Sequence, residues 1–162
     1  MPITYLEGDA TCPQIDGPKI IAHVVNSSGG WGRGFVLAVS DRWLGPEQRY
    51  RKWYASKKNF KLGAVQTLQV EPDIWVCNML AQEGYLTTKK HGPPLRLPRL
   101  KECLDLLKEA AIERHASVHM PRIGCGLGGS DWDVVGLMVE QSLGEVPVYV
   151  YDLYPQSVVR QT

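Results

Sequence analysis

The chain has 162 residues, 44% hydrophobic and 22% charged, and its 18 Lys and Arg nearly balance 17 Asp and Glu. That length supports one globular domain with a full core, and a net charge of +1 gives no global basic field of the kind that drives non-specific nucleic-acid binding. Four scattered cysteines (Cys12, Cys77, Cys103, Cys125), with no C-x-x-C pair and no Cys/His cluster, argue against both a metal site and a disulfide framework.

MPITYLEGDA has no charged leader followed by an apolar stretch, and no apolar run approaches the roughly 20 residues that span a bilayer. The expectation is a soluble cytoplasmic monomer with reduced thiols and no membrane partner. In chain order, ITYLEGDA (3–10) predicts a short strand, and KIIAHVVN (19–26) is almost continuously apolar, as a strand covered on both faces must be. After GGWGRG, the residues Phe35, Val36, Ala38 and Val39 take helical spacings, and Pro46 with EQRYRKWY restarts a second short helix.

GAVQTLQV (63–70) and IWVCNML (74–80), joined by a turn containing Pro72, predict a hairpin. AQEGYLTTKKHGPP (81–94) has no period and predicts an exposed loop, in which Gly84 and Gly92 would permit a flap to move. From Leu97, the positions Leu100, Cys103, Leu104, Leu107, Ala110 and Ala111 repeat at three and four, the strongest helix signal in the chain. SVHMPRI (117–123) predicts a strand, GCGLGGSD a second glycine loop, WDVVGLMVEQSLG (132–144) a helix, and PVYVYDL (147–153) a last strand. Alternating strands and helices with one inserted hairpin predict a three-layer α/β/α sandwich around a mixed six-stranded sheet, one domain over 1–154 with a short tail at 155–162.

One event occurs twice: a buried strand ends, glycines follow at once, and a helix begins, at 26–36 and again at 123–134. Glycine lets backbone N–H groups approach an anion, and the following helix adds its positive end, so two such loops facing each other suit a diphosphate. Spacing in GGWGRGF does not match the dinucleotide fingerprint, and the Walker pattern is absent.

In ITYLEGDA, IAHVVN, GGWGRGF and MPRIGCGLGGSDW, in that order and over nearly the whole length, the chain resembles a macrodomain, the ADP-ribose-binding α/β/α module. It is most similar to the branch that contains the terminal ADP-ribose protein glutamate hydrolase and small bacterial homologues. The resemblance implies a cleft for ADP-ribose, with mono-ADP-ribosylated protein as partner and with neither metal nor cofactor. Carried over, Asp9 after Gly8 would accept from the adenine amino group while Ala10 meets the ring. Gly29, Gly30, Trp31, Gly32, Arg33, Gly34 and Phe35 would form one phosphate loop. Pro121, Arg122, Ile123, Gly124, Cys125, Gly126, Leu127 and Gly128 would form the other, and Asn26 would point at the distal ribose.

Each residue also has a plainer reading. Asp after Gly is a common turn pair, and His23 in an apolar strand reads as a hydrogen-bonded core histidine as well as a cleft residue. Trp31, flanked by glycines, is expected at the cleft rim. Cys125 has only Arg122 near it in sequence to lower its pKa, so its backbone is what counts.

The hydrolase's lysine and aspartate are replaced here by Gln82 and Gly128, so the resemblance does not extend to a lysine adduct. What it leaves is a water attacking the ester, with Asn26, Gln82 and Asp131 as candidates to orient it. Asp131 reads equally as the cap of the next helix. A non-catalytic reader and an ADP-ribose-1''-phosphate phosphatase are the alternatives. The basic stretches 49–58 and 87–101 raise a nucleic-acid module as a further class, against which stands the absence of any recognised motif.

Overall fold

The structure, a computed structural model, describes residues 2–84, 86–90, 92–126 and 128–153. Six strands, β1 (Thr4–Glu7), β2 (Lys19–Asn26), β3 (Val65–Glu71), β4 (Ile74–Gln82), β5 (Ser117–Met120) and β6 (Val148–Asp152), form one sheet in the order β1-β6-β5-β2-β4-β3. Only the β3–β4 hairpin is antiparallel. Four helices, α1 (Phe35–Arg42), α2 (Gly45–Ser56), α3 (Leu97–Arg114) and α4 (Trp132–Leu143), cover it.

The period of two along each strand sorts the core into two halves. Ile20 and Ala22 of β2, Cys77 and Met79 of β4, Val118 and Met120 of β5 and Val148 and Val150 of β6 pack with Leu100, Leu104 and Leu107 of α3 and Val135, Val139 and Leu143 of α4. Ile21, Val25, Val76 and Leu80 point the other way and pack with Val36 and Val39 of α1 and Tyr50 and Trp53 of α2. Two apolar cores on opposite faces are the three layers the alternation of elements predicts. Each fully buried Leu contributes about 1.5–3 kcal/mol to this packing.

Most strands are shorter than their apolar runs. β1 ends at Glu7 because Gly8, at φ 139°, leaves the extended region. β5 stops at Met120, before Pro121, which has no N–H to donate to a ladder. In the other direction, β4 continues through Ala81 and Gln82, so the loop expected from 81 begins two residues later. Within that loop Thr88 and Gly92 pair as a small antiparallel bridge. Among the described residues no helix is long and apolar enough to cross a membrane, and no group of three or more His, Cys, Asp or Glu could hold a metal. The 155–162 tail lies outside the described residues.

Two histidines are buried in the sheet. His119 Nδ1 lies 2.8 Å from the Tyr151 hydroxyl and its Nε2 2.8 Å from Ser117 Oγ, and it stacks on Tyr149 at 5.0 Å. His23 Nε2 lies 2.6 Å from Asn78 Oδ1. Burial pushes each from its ordinary 6.5 down to about 4, helped at His119 by the Lys19 charge. The unfolded chain therefore binds protons that the folded chain refuses between those values. Stability is complete above pH 6.5 and is lost as pH falls toward 4. Chemical denaturation should show a plateau above pH 6.5. From 6.5 to 5, where carboxylates still stay ionised, the slope should approach about 1.4 kcal/mol per pH unit for each histidine. A flat profile over that range would contradict the burial of both rings.

Candidate functional site

The sheet opens at one place. β2 pairs with β4 along its whole length, from Lys19↔Ile74 to Asn26↔Gln82, but with β5 only from Lys19↔Ser117 to Ile21↔His119. Beyond Ile21 the carboxyl-terminal half of β2 has a neighbour on one side alone. The chain leaving β5 turns away at Pro121, and a cleft of about 600 Å³ fills the gap. This is the position at the carboxyl ends of parallel strands where α/β sheets bind ligands.

Val24, Val25 and Asn26 from β2 form its floor with Gln82 from β4. One wall is Gly30 to Val36 and the other Pro121 to Ile123 with Gly124, Gly126 and Gly128. Both glycine loops thus border one cavity. Of the residues expected to bind, Gly29 and Cys125 lie in these loops without lining the cleft, and Leu127 falls outside the described residues. Gly8, Asp9 and Ala10 also lie off its wall. Asp9 Oδ1 accepts from the N–H and hydroxyl of Thr11, both at 2.8 Å, as a turn aspartate does, while Oδ2 has no partner among the described residues.

The first loop is shaped by Asn26. Its Oδ1 accepts from the backbone N–H of Ser28 at 2.9 Å and of Gly30 at 3.2 Å, and its Nδ2 donates to Gly30 O at 2.9 Å. From beneath, the Tyr50 hydroxyl donates to Asn26 O at 2.6 Å. Most of the amide is spent on the loop rather than aimed at a ligand. Gly29, at φ 81°, sits on the Tyr54 ring, where an added Cβ would lie 2.7 Å from ring carbons.

Trp31 lines the cleft, but from a buried position rather than the expected one. Its indole is not at the rim: the residue is 3% exposed, edge-on to His23 at 5.3 Å and tilted against Tyr50 at 5.4 Å. Its N–H donates to Ser40 Oγ at 2.7 Å, which donates to Glu47 Oε1 at 2.8 Å. The indole N–H finds an acceptor only by folding inward beneath the loop, so Trp31 anchors the loop to α1 and α2. Arg33, by contrast, is exposed on the cleft wall, and no carboxylate pairs with it among the described residues.

His23 is both core and cleft residue. Asn78 Nδ2 donates to Pro46 O and Gln66 Oε1, which fixes Asn78 Oδ1 as acceptor and therefore His23 Nε2 as the protonated nitrogen. His23 Nδ1 is then a bare acceptor, buried with no partner among the described residues. With its pKa near 4 the ring is neutral at pH 7 and a weak base.

The second wall is braced differently. Arg122 forms a two-pronged pair with Asp152, Nε to Oδ1 at 2.6 Å and Nη2 to Oδ2 at 2.9 Å, which ties the loop to the end of β6. Leu95 N–H donates to Gly128 O at 3.2 Å. Cys125 is no thiolate: burial pushes its thiol pKa up, the nearby Arg122 opposing and Asp131 adding to the rise. Asp131 is the N-cap of α4, accepting from Asp133 N–H at 2.9 Å, and does not line the cleft. Gln82 does; its Nε2 donates to Gly84 O at 2.9 Å, and its Oε1 has no partner among the described residues.

The helix starts differ in the same way. α4 is capped by a side chain, whereas α1 begins at Gly34 with no side-chain cap; Leu37 N–H turns back to Gly34 O at 3.1 Å, and the N–H groups of Phe35 and Val36, both on the cleft wall, make no hydrogen bond among the described residues. An uncapped helix start, an arginine with no carboxylate partner among the described residues and two glycine loops border one cleft, a combination of donors that suits an anion.

No family model matches the chain. A macrodomain protein from Streptomyces coelicolor is 46% identical, with a TM-score of 0.82 over 93% of this chain and 98% of that one. The chain belongs to the macrodomain family. It is 34% identical over 80% of its length to "Chromodomain-helicase-DNA-binding protein 1-like" of Danio rerio, of whose length it spans 13%. It is also 26% identical to the ADP-ribose glycohydrolase OARD1 of Homo sapiens, over 93% of this chain and 91% of that one.

The second loop of this macrodomain offers a sharp test. A Cβ at Gly128 would lie 2.5 Å from the backbone oxygen of Gly124, which cannot rotate away, whereas a Cβ at Gly126 meets nothing within 4 Å. Gly128→Ala should cost about 1–3 kcal/mol in urea unfolding, and Gly126→Ala should stay within about 0.5 kcal/mol of the parent.

Proposed function

We propose that this macrodomain binds ADP-ribose in the cleft and hydrolyses the ester that joins ADP-ribose to an aspartate or glutamate side chain. The observation that carries the reading is the convergence on one cavity of about 600 Å³ of both glycine loops, the uncapped start of α1 and Arg33, which has no carboxylate partner among the described residues. A diphosphate there meets backbone N–H groups and a cation without displacing an internal salt bridge. The likeness to an ADP-ribose glycohydrolase over nearly the full length of both chains supports the same reading.

In the hydrolytic step, a water oxygen bonds to the ester carbonyl carbon or the anomeric carbon. The carbon–oxygen bond of the ester breaks, and free ADP-ribose and a protein carboxylic acid leave. Gln82 Oε1 serves as the acceptor that orients the water, and Asn26 acts through the loop it holds. The loops fix the diphosphate, and with it the distance from ester to water; such positioning supplies much of the barrier reduction for a labile acyl ester.

One observation favours a second reading, a non-catalytic reader. Among the described residues the cleft wall carries no carboxylate, lysine or thiol, and its ionisable side chains are His23, Arg33 and Arg122.

Calorimetry with ADP-ribose beside AMP and NAD, together with incubation on a glutamate-ADP-ribosylated protein, separates the outcomes. Binding with release of ADP-ribose is expected. Binding without release selects the reader, and phosphate released from ADP-ribose-1''-phosphate selects a phosphatase. Asn26→Ala should weaken ADP-ribose binding about 10-fold, by freeing the Gly30 loop, and lower turnover with it. Gln82→Ala should lower kcat with the affinity retained.

A further inference from the structure

The near-neutral total charge conceals a strong asymmetry. Residues 45–62, comprising α2 and the turn after it, hold six cations and one carboxylate, while the rest of the chain holds twelve cations and sixteen carboxylates. All six (Arg49, Arg51, Lys52, Lys57, Lys58, Lys61) are exposed. The single carboxylate, Glu47, is already occupied by Arg51 at 2.9 Å and Ser40 at 2.8 Å. Arg49, Lys52, Lys58 and Lys61 pair with no carboxylate among the described residues.

This basic island stands directly behind the first loop of the cleft. Gly29 rests on the Tyr54 ring, Arg51 Nη1 reaches Gly29 O at 3.4 Å, and Tyr50 holds Asn26 O. Part of it is ordered in advance: Lys57 Nζ stands 3.3 Å over the Tyr54 ring and 5.0 Å from Phe60.

We infer that the exposed face of α2 and its C-terminal turn is a docking surface for an acidic peptide segment, the carboxylate-rich stretch flanking the modified side chain of the target. The inference rests on the proposed function for the peptide's identity, since an ester to a protein carboxylate must bring a polypeptide to the cleft mouth. Size supports this occupant. A helix of 12 residues is about 18 Å long, and about six extended residues cover that span. Sign supports it as well. A short acidic segment fits within the island, whereas a long polyanion such as nucleic acid would run from it onto a remainder that is itself net negative.

The test reads the surface apart from the cleft. A fluorescently labelled Glu-rich nonapeptide without ADP-ribose is titrated by anisotropy at low salt, and the same peptide carrying one glutamate-linked ADP-ribose is then titrated. Lys52→Glu/Lys58→Glu/Lys61→Glu alters three side chains that make no hydrogen bond or ion pair among the described residues, and circular dichroism checks its folding. The expected result is measurable binding of the bare peptide, lost in the triple variant and suppressed by salt. Affinity for the ADP-ribosylated peptide should fall about 10-fold, as three exposed pairs together contribute, while affinity for free ADP-ribose changes less than 2-fold. Equal affinity of parent and variant for both peptides overturns the inference, and so does a parallel loss for free ADP-ribose. Displacement of the bare peptide by single-stranded DNA at a lower concentration than by unlabelled peptide reassigns the face to nucleic acid. Failure of free ADP-ribose to bind the parent protein counts against the proposed function alone, because the bare-peptide titration does not depend on it.

Discussion

The site depends on one side-chain amide. Asn26 sits at the last residue of β2, where the strand has lost β5 as a neighbour and its chain must turn. A loop of glycines has many conformations, and fixing it is entropically unfavourable. Asn26 offsets that by accepting from Ser28 and Gly30 and donating back to Gly30, which holds the turn from within. Tyr50 and Trp31 extend the brace downward, so the loop stands on the aromatic core between the sheet and α2 rather than on solvent.

The two walls of the cleft are built by different means. The first is held by an amide and by aromatic packing, which among the described residues leave the N–H groups of Phe35 and Val36 and the Arg33 side chain without internal partners. The second is held by the Arg122–Asp152 pair and by the close approach of Gly128 to Gly124. Asp131 belongs to that framework, because a carboxylate accepting from a helix N-terminus is tied to the helix. The cleft is therefore rich in donors and poor in bases, which suits holding an anion and leaves any hydrolysis to a positioned water.

Electrostatics separates inside from outside along the same line. Within the sheet, burial strips His23 and His119 of charge. At the surface, the island on α2 collects cations that the rest of the chain balances with carboxylates. A total of +1 conceals this, since net charge adds what the fold distributes.

Local pattern alone decided much of this protein. The apolar run 19–26, the three-four repeat from Leu97 and the Pro72 turn each place an element within a few residues, because strand and helix periods are properties of neighbours in sequence. The two strand-glycine-helix passages likewise announced two loops, and the order of the four motifs announced the macrodomain. Tertiary structure decided what each side chain does there. Trp31 turns inward because its indole N–H finds Ser40 only in the folded chain, and Asp131 is a cap because α4 starts beside it. The cleft itself exists because β2 outruns its pairing with β5, two strands separated by some ninety residues, and no local pattern records where such partners part.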